Sequence, residues 1–244
     1  MVHGRTRKRQ SHIQLPWRQG IKISFLILML IVSIFFVNKI KETNQFPIKQ
    51  VKVYGVNHLA EEEVQHVMTP LVSKGFFAVE VESIKDQISQ LPWVSDVSVR
   101  RVWPDQVIVS ISERKPIALW NENSLLSSNG EIFSPNANTF PKRLPHFVGP
   151  EGEQIHMLEF YSRIDHTLRP LHLKIAQLEL TPYLSWNVIF DSGMIVHVGY
   201  KDVLTRINHF VKVYQKIVGE RGANVDYVDL RYPNGLAVRW KTVT

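Results

Sequence analysis

Val94-Ser95-Asp96-Val97-Ser98-Val99-Arg100-Arg101-Val102, Trp103-Pro104-Asp105 and Gln106-Val107-Ile108-Val109-Ser110-Ile111 decide the fold of the first half of this chain. Val94, Val97 and Val99 lead into a strand that runs to Val102. Trp103-Pro104-Asp105 makes a turn, because Pro presets its backbone angle and Asp bonds its own main chain. Val107, Val109 and Ile111 then alternate along a second strand. Upstream, Pro92 stops a helix predicted from Ser83, read as its N-cap, to Gln90, with Ile84, Ile88 and Leu91 on one face. Another helix is predicted from Ala60 to Leu71, with Glu61, Glu62 and Glu63 favourably placed at its positive end. Ser73-Lys74-Gly75 separates the two helices. Ile48 to Tyr54 reads as a strand ended by Gly55. The order strand, helix, helix, strand, strand is satisfied by two helices on one face of a three-stranded sheet, an α+β solution.

Ahead of this unit lies a topogenic head. Arg5, Arg7, Lys8, Arg9, Arg18 and Lys22 precede an apolar run, and residues 1–22 contain no Asp or Glu. From Ile23 to Val37 every residue is apolar except Ser24 and Ser33. Such a run enters a bilayer as a helix, since hydrocarbon suits its side chains and the helix satisfies its own backbone. The cationic head stays cytoplasmic, so the bulk of the chain is expected on the far side of a single span. A cleaved signal peptide would need small residues after the core, and Asn38-Lys39-Ile40-Lys41-Glu42 offers none. A buried core helix would not be apolar all round and flanked by Lys22 and Lys39, which instead extend the span by snorkelling. The expected division is a basic tail at 1–22, a transmembrane helix at 23–40, the α+β unit at 46–115 and a second unit at 116–244. A polar linker from Lys41 to Pro47 joins span to domain.

The second unit reads as mainly antiparallel β with flanking helices. Ser128-Asn129-Gly130 sits between Leu125-Leu126 and Ile132-Phe133, and Asp191-Ser192-Gly193 between Trp186–Phe190 and Met194–Val198, as hairpin turns do. Asn136 to Pro145 is a loop, and Ile155 to Ile164 has helical spacing. Val203 to Val218 is amphipathic, with Ile207, Phe210 and Tyr214 along its apolar stripe. Val225 to Tyr232, the turn Pro233-Asn234-Gly235 and Leu236 to Trp240 form a last hairpin, with Val228, Leu230 and Tyr232 predicted to face inward. Its final strand has two readings. It is an open edge on which another chain adds a strand, or an ordinary edge protected by Arg239 and Lys241.

Composition narrows the function. The net charge of +7 belongs to the head: six of 29 Lys+Arg lie in residues 1–22, leaving 23 against 22 Asp+Glu. A basic nucleic-acid footprint is therefore not expected in the folded part. The head's charges suit anionic lipid. With no Cys there is no disulfide, thiolate metal site or Cys nucleophile. Asp191-Ser192-Gly193 has the letters of an aspartic-protease loop, but the chain holds no second such triplet to share a proton with it, only a homodimer could supply one, and a turn explains the residues without chemistry. His166 and His172 are separated by Arg169-Pro170 and lack the spacing of a zinc helix. No cofactor, metal site or catalytic residue is expected.

Several segments together resemble the FtsQ/DivIB family of bitopic bacterial division proteins. They are Leu91-Pro92-Trp93 with Val97-Ser98-Val99-Arg100, Trp103-Pro104-Asp105, Glu113-Arg114-Lys115-Pro116-Ile117-Ala118 with Trp120, and Tyr227-Val228-Asp229-Leu230-Arg231-Tyr232 with Gly235 and Trp240. The resemblance covers nearly the whole chain and implies that residues 46–115 are a POTRA-like domain. It further implies a non-enzymatic divisome scaffold in the inner membrane at the septum, with a cytoplasmic N-terminus and a periplasmic bulk. The family's partners would be FtsB and FtsL, the translocase FtsK and, indirectly, FtsW and FtsI, whose septal peptidoglycan synthesis the assembly regulates. Carried over by position, FtsB would be met by Arg231, Tyr232, Asn234 and Gly235, and the recruitment face would comprise Val81, Asp96, Val99 and Arg101. Pro233 and Asn234 depart from the family's pattern, so backbone pairing carries more of that expectation than the turn. A POTRA-containing secretion or envelope-assembly factor is a competing class, but residues 117–244 lack the train of alternating strands a barrel needs. A membrane-tethered hydrolase would need convergent titratable groups in a pocket.

Overall fold

The computed structural model describes residues 17–42, 46–233 and 235–242. Helix α1 (Trp17–Glu42) contains a 20-residue stretch, Gly20–Lys39, long and apolar enough to cross a membrane, and none of that stretch is buried against the rest of the protein. From Ile21 to Phe35 its large apolar side chains are exposed on every side, as they would be toward lipid.

The first folded unit has the expected order. Strand β1 (Gln50–Tyr54) is followed by α2 (Glu61–Val72), α3 (Val81–Ser89), β2 (Val94–Val102) and β3 (Gln106–Glu113). The strands lie in the order β1-β3-β2, with β1 parallel and β2 antiparallel to β3. Val64 and Met68 of α2 and Ile84 and Ile88 of α3 meet Val97, Val107, Val109 and Ile111 in one buried cluster. Ser83 is not the N-cap of α3. The helix starts at Val81 behind Glu80, and the Ser83 hydroxyl donates to the Glu80 carboxylate at 2.8 Å inside the first turn.

The remaining strands are β4 (Pro116–Trp120), β5 (Ser124–Ser127), β6 (Ile132–Phe133), β7 (His146–Val148), β8 (Ile175–Leu180), β9 (Trp186–Phe190), β10 (Ile195–Gly199), β11 (Val225–Asp229) and β12 (Ala237–Trp240). They form one sheet in the order β12-β11-β10-β9-β8-β7-β4-β5-β6. Among the described residues five of its eight neighbouring pairs are antiparallel. Helices α4 (Gln154–Leu168) and α5 (Val203–Ile217) supply Met157, Phe160, Ile164, Ile207, Phe210 and Tyr214 to the core on one face. The opposite face carries a polar row in which Glu179, Asn187 and His197 are linked side chain to side chain.

Glu113, the last residue of β3, ties the first unit together, and Arg114 just after it ties that unit to the second. The Glu113 carboxylate accepts the backbone N–H groups of Asn57, His58 and Leu59 at 2.7, 2.9 and 2.9 Å, and pairs with His58 Nδ1 at 2.9 Å. Arg114 donates to the carbonyl of Pro92 at 2.6 Å and to Glu131 at 3.0 Å, with its guanidinium over the Phe133 ring. Trp93 packs edge-on to Phe133 at 5.3 Å, stacks on His58 at 4.5 Å and donates its indole N–H to Thr139. Leu125 and Phe133, from the second sheet, thereby complete the core of the first unit.

Burial of Glu113 pushes its pKa up, but the N–H groups of Asn57, Leu59 and His58 and the His58 ring outweigh it and hold the carboxyl below its ordinary value. A carboxylate so lowered stabilises the fold above its ordinary pKa, and this contribution is lost as pH falls through the lowered value. Glu113→Ala strands three donors, so it should cost about 2 kcal/mol at neutral pH. The gap to wild type in urea unfolding should shrink between about pH 6 and about pH 3. A gap independent of pH would mean the carboxylate is not the fastener.

Candidate functional site

The last hairpin makes the site, because it leaves one side of a strand unused. Strand β12 pairs antiparallel with β11 and has no other sheet neighbour among the described residues. Strand β11 stops at Asp229, three residues before the predicted end at Tyr232. The Asp229 side chain accepts the backbone N–H of Arg231 at 2.9 Å, a local turn that competes with the ladder. The Arg231 side chain closes on the same carboxylate, with Nη2 to Oδ2 at 2.7 Å and Nε to Oδ1 at 2.9 Å.

This turn reverses part of the predicted inward face. Val228 and Leu230 are buried, and the Leu230 N–H still reaches the carbonyl of His197 at 2.9 Å. Tyr232, predicted inward, is 58% exposed, whereas Asp229, predicted outward, is buried. The chain has left the sheet by Tyr232, so strand alternation no longer governs it.

Arg206 of α5 braces the same loop, donating to the carbonyl of Val198 at 2.7 Å and to that of Arg231 at 3.4 Å. It crosses Gly199, whose φ is +86°, and a Cβ there would lie 2.7 Å from Arg206 Nη1 and 3.1 Å from Arg231 Cγ. The sequence assigns no role to Arg206 or Gly199 and reads Asp229 as an outward position of the strand and part of the Tyr227–Tyr232 run, not as the acceptor that makes this turn. Beside the loop lies an open groove of about 560 Å³, lined by Lys201, Arg206, His209, Leu230, Tyr232 and Gly235. Of the four residues carried over for FtsB, Arg231, Tyr232 and Gly235 belong to this loop, and Asn234 lies outside the described residues.

The cations near the edge bind the protein's own atoms. Arg239 lies over the Tyr227 ring and 3.6 Å from Asp226. Lys241 Nζ donates to the carbonyls of Ala223 at 2.9 Å and Ser192 at 3.4 Å. Trp240 is covered on one face by Arg221 and otherwise half exposed.

In the first unit, β2 is likewise an edge strand. Val99 and Arg101 fall on its helix-covered face with Val97, while Asp96 falls on the other. Val81 opens α3. The four recruitment residues thus surround an edge rather than form one face. Elsewhere, Asp191-Ser192-Gly193 is a turn, with Gly193 at φ +81° donating to the carbonyl of Phe190. Among the described residues no three His, Asp or Glu side chains gather as a metal site would require.

Comparison with known proteins adds a family. Residues 118–231 match the family model described as "Cell division protein FtsQ/DivIB, C-terminal", and residues 46–114 match "POTRA domain, FtsQ-type". The cell division protein FtsQ of Coxiella burnetii is 32% identical over 236 residues, covering 96% of this chain and 97% of that protein. That of Methylomonas methanica is 35% identical over 81% of this chain and 80% of its own length. That of Shewanella oneidensis is 30% identical over 98% and 91%.

The paired Arg231 holds the Asp229 carboxyl below its ordinary range, while Asp229 raises Arg231. Arg231 is largely exposed, so solvent screens the pair, and Arg231→Ala should cost only about 1 kcal/mol in urea unfolding. Asp229→Ala also removes the acceptor that makes the turn and should cost about 2 kcal/mol. The reverse order would show that charge pairing rather than the turn holds this loop.

Proposed function

The chain belongs to the FtsQ/DivIB family of cell division proteins, and from that premise we propose that it is a non-enzymatic divisome scaffold whose last strand receives a strand from an FtsB-like partner. The observation that carries this reading is β12, which has one sheet neighbour among the described residues and flanking cations that are bound internally. An edge with no strand on its far side offers its backbone donors and acceptors to another chain. Main-chain bonds would give affinity, and the exposed Tyr232 and the groove at Arg206 and His209 would give selectivity.

In this reading FtsL arrives with FtsB, and the assembly regulates septal peptidoglycan synthesis by FtsW and FtsI. Residues 46–115 act as the recruitment domain, with an FtsK-like partner meeting the β2 edge at Asp96, Val99 and Arg101 beside Val81. Residues 116–244 act as the partner-binding domain. Helix α1 crosses the inner membrane with the basic tail in the cytoplasm, as the Arg/Lys bias of residues 1–22 favours.

Successive residues of a strand direct their N–H groups alternately toward and away from one neighbour. Val238→Pro and Arg239→Pro therefore remove one donor facing β11 and one facing outward. Binding of the full chain to the periplasmic part of an FtsB–FtsL complex should weaken about tenfold or more in both, and in Tyr232→Ala. One of the two proline variants should keep wild-type melting behaviour, because its lost donor faced no neighbour. Unchanged binding in all three would move the interface away from this edge.

A further inference from the structure

At the end of the first sheet where β1 and β3 begin and β2 finishes, four aromatic rings gather at the surface. Phe46 meets Phe77 at 5.3 Å and Trp103 at 5.9 Å, and Phe76 lies 5.3 Å from Phe77 and 5.8 Å from Trp103. The rings come from three separate stretches of chain, and the Phe76 N–H fixes two of these by donating to the carbonyl of Phe46 at 2.8 Å. Phe76 is buried beneath the others, yet Phe46 remains 38%, Phe77 45% and Trp103 63% exposed. Scattered apolar residues on a surface need no explanation, but a packed aromatic cluster left in water does.

Position identifies what covers it. Helix α1 ends at Glu42, and Phe46 follows four residues later, so their Cα atoms are separated by at most about 14 Å. Glu42 is itself three residues past Lys39, where the apolar stretch ends, which is about 4.5 Å of helix. The cluster is thus tethered within reach of the polar margin of the membrane that α1 would cross. Three cations share this end. The Lys49 N–H bonds the carbonyl of Asp105 and its exposed ammonium lies 3.6 Å from the Asp105 carboxylate, Lys74 is exposed two residues before Phe76, and the Arg101 guanidinium lies over the Phe76 ring and donates to its carbonyl at 3.3 Å. Aromatic rings flanked by Lys and Arg are the side chains that partition to the boundary between acyl chains and headgroups.

We propose that Phe46, Phe77 and Trp103 seat the first folded unit on the bilayer surface, with the exposed ammonium groups of Lys49 and Lys74 meeting lipid phosphates. The inference rests on α1 spanning that bilayer. Two points of attachment, the span and this cluster, fix the height and tilt of the unit. They also set how the edge strand β2 is presented to a partner.

The test uses the full chain with Trp17→Phe, incorporated in nanodiscs of anionic and zwitterionic phospholipid. Trp93, Trp120 and Trp186 are buried, and Trp240 lies on the last strand of the other sheet, so Trp103 reports on the membrane surface. Phospholipids brominated high on the acyl chain should quench a component of the emission that Trp103→Phe removes, and aqueous iodide should barely touch it. Phe77→Ser, which keeps Trp103 but thins the cluster, should lower the lipid quenching about twofold. Iodide quenching of Trp103 without lipid quenching, in chains that co-elute with nanodiscs, overturns the proposal and leaves the cluster to a protein partner. Failure to co-elute with nanodiscs overturns the span itself, and the seating with it.

Discussion

The Glu113–Arg114 pair is the constraint on which the rest of this structure depends. One carboxylate gathers three backbone donors from the β1–α2 connection, while the next residue ties the same strand to the hairpin of the following sheet. Successive residues of a strand point to opposite sides, so adjacent side chains can serve two different structures. The Trp93–Phe133 contact fills the seam between them with apolar surface that neither unit could bury alone. Sharing Leu125 and Phe133 across the seam couples the units more firmly than a flexible linker would.

The second sheet is built asymmetrically, and the proposed partner edge rests on that asymmetry. Helices α4 and α5 cover one face, which absorbs the apolar residues of β8 to β11. No strand among the described residues pairs with the far side of β12. The Asp229 turn ends β11 early and lifts Tyr232 out of the ladder, and Arg206 holds the lifted loop against α5. An ordered loop beside an open strand is preorganised, so less ordering entropy would oppose the proposed strand addition there.

Much of the fold was legible because it is local. The span depends on composition and needs no tertiary contact. The β-α-α-β-β order was marked by Pro92, Gly55 and the 104–105 turn, and by the period of Ile84 and Ile88. Strand β7 carried no such mark. It has three residues, too few to display alternation, and it is held by parallel neighbours β4 and β8 far away in sequence. Ser83 resembled an N-cap because it precedes Ile84, but Glu80 already accepts the first helical bond from Ile84.

The sequence by itself determined the apolar helix, the two folded units and the family, since each rests on composition, short periods or runs of residues adjacent along the chain. Only the tertiary structure decided the order of the strands between the two edges, that Asp229 is buried while Tyr232 is exposed, and that Phe46, Phe77 and Trp103 form one cluster. These depend on strand order and on contacts between distant residues. A local pattern says which side of a strand is apolar, and not what lies beside it.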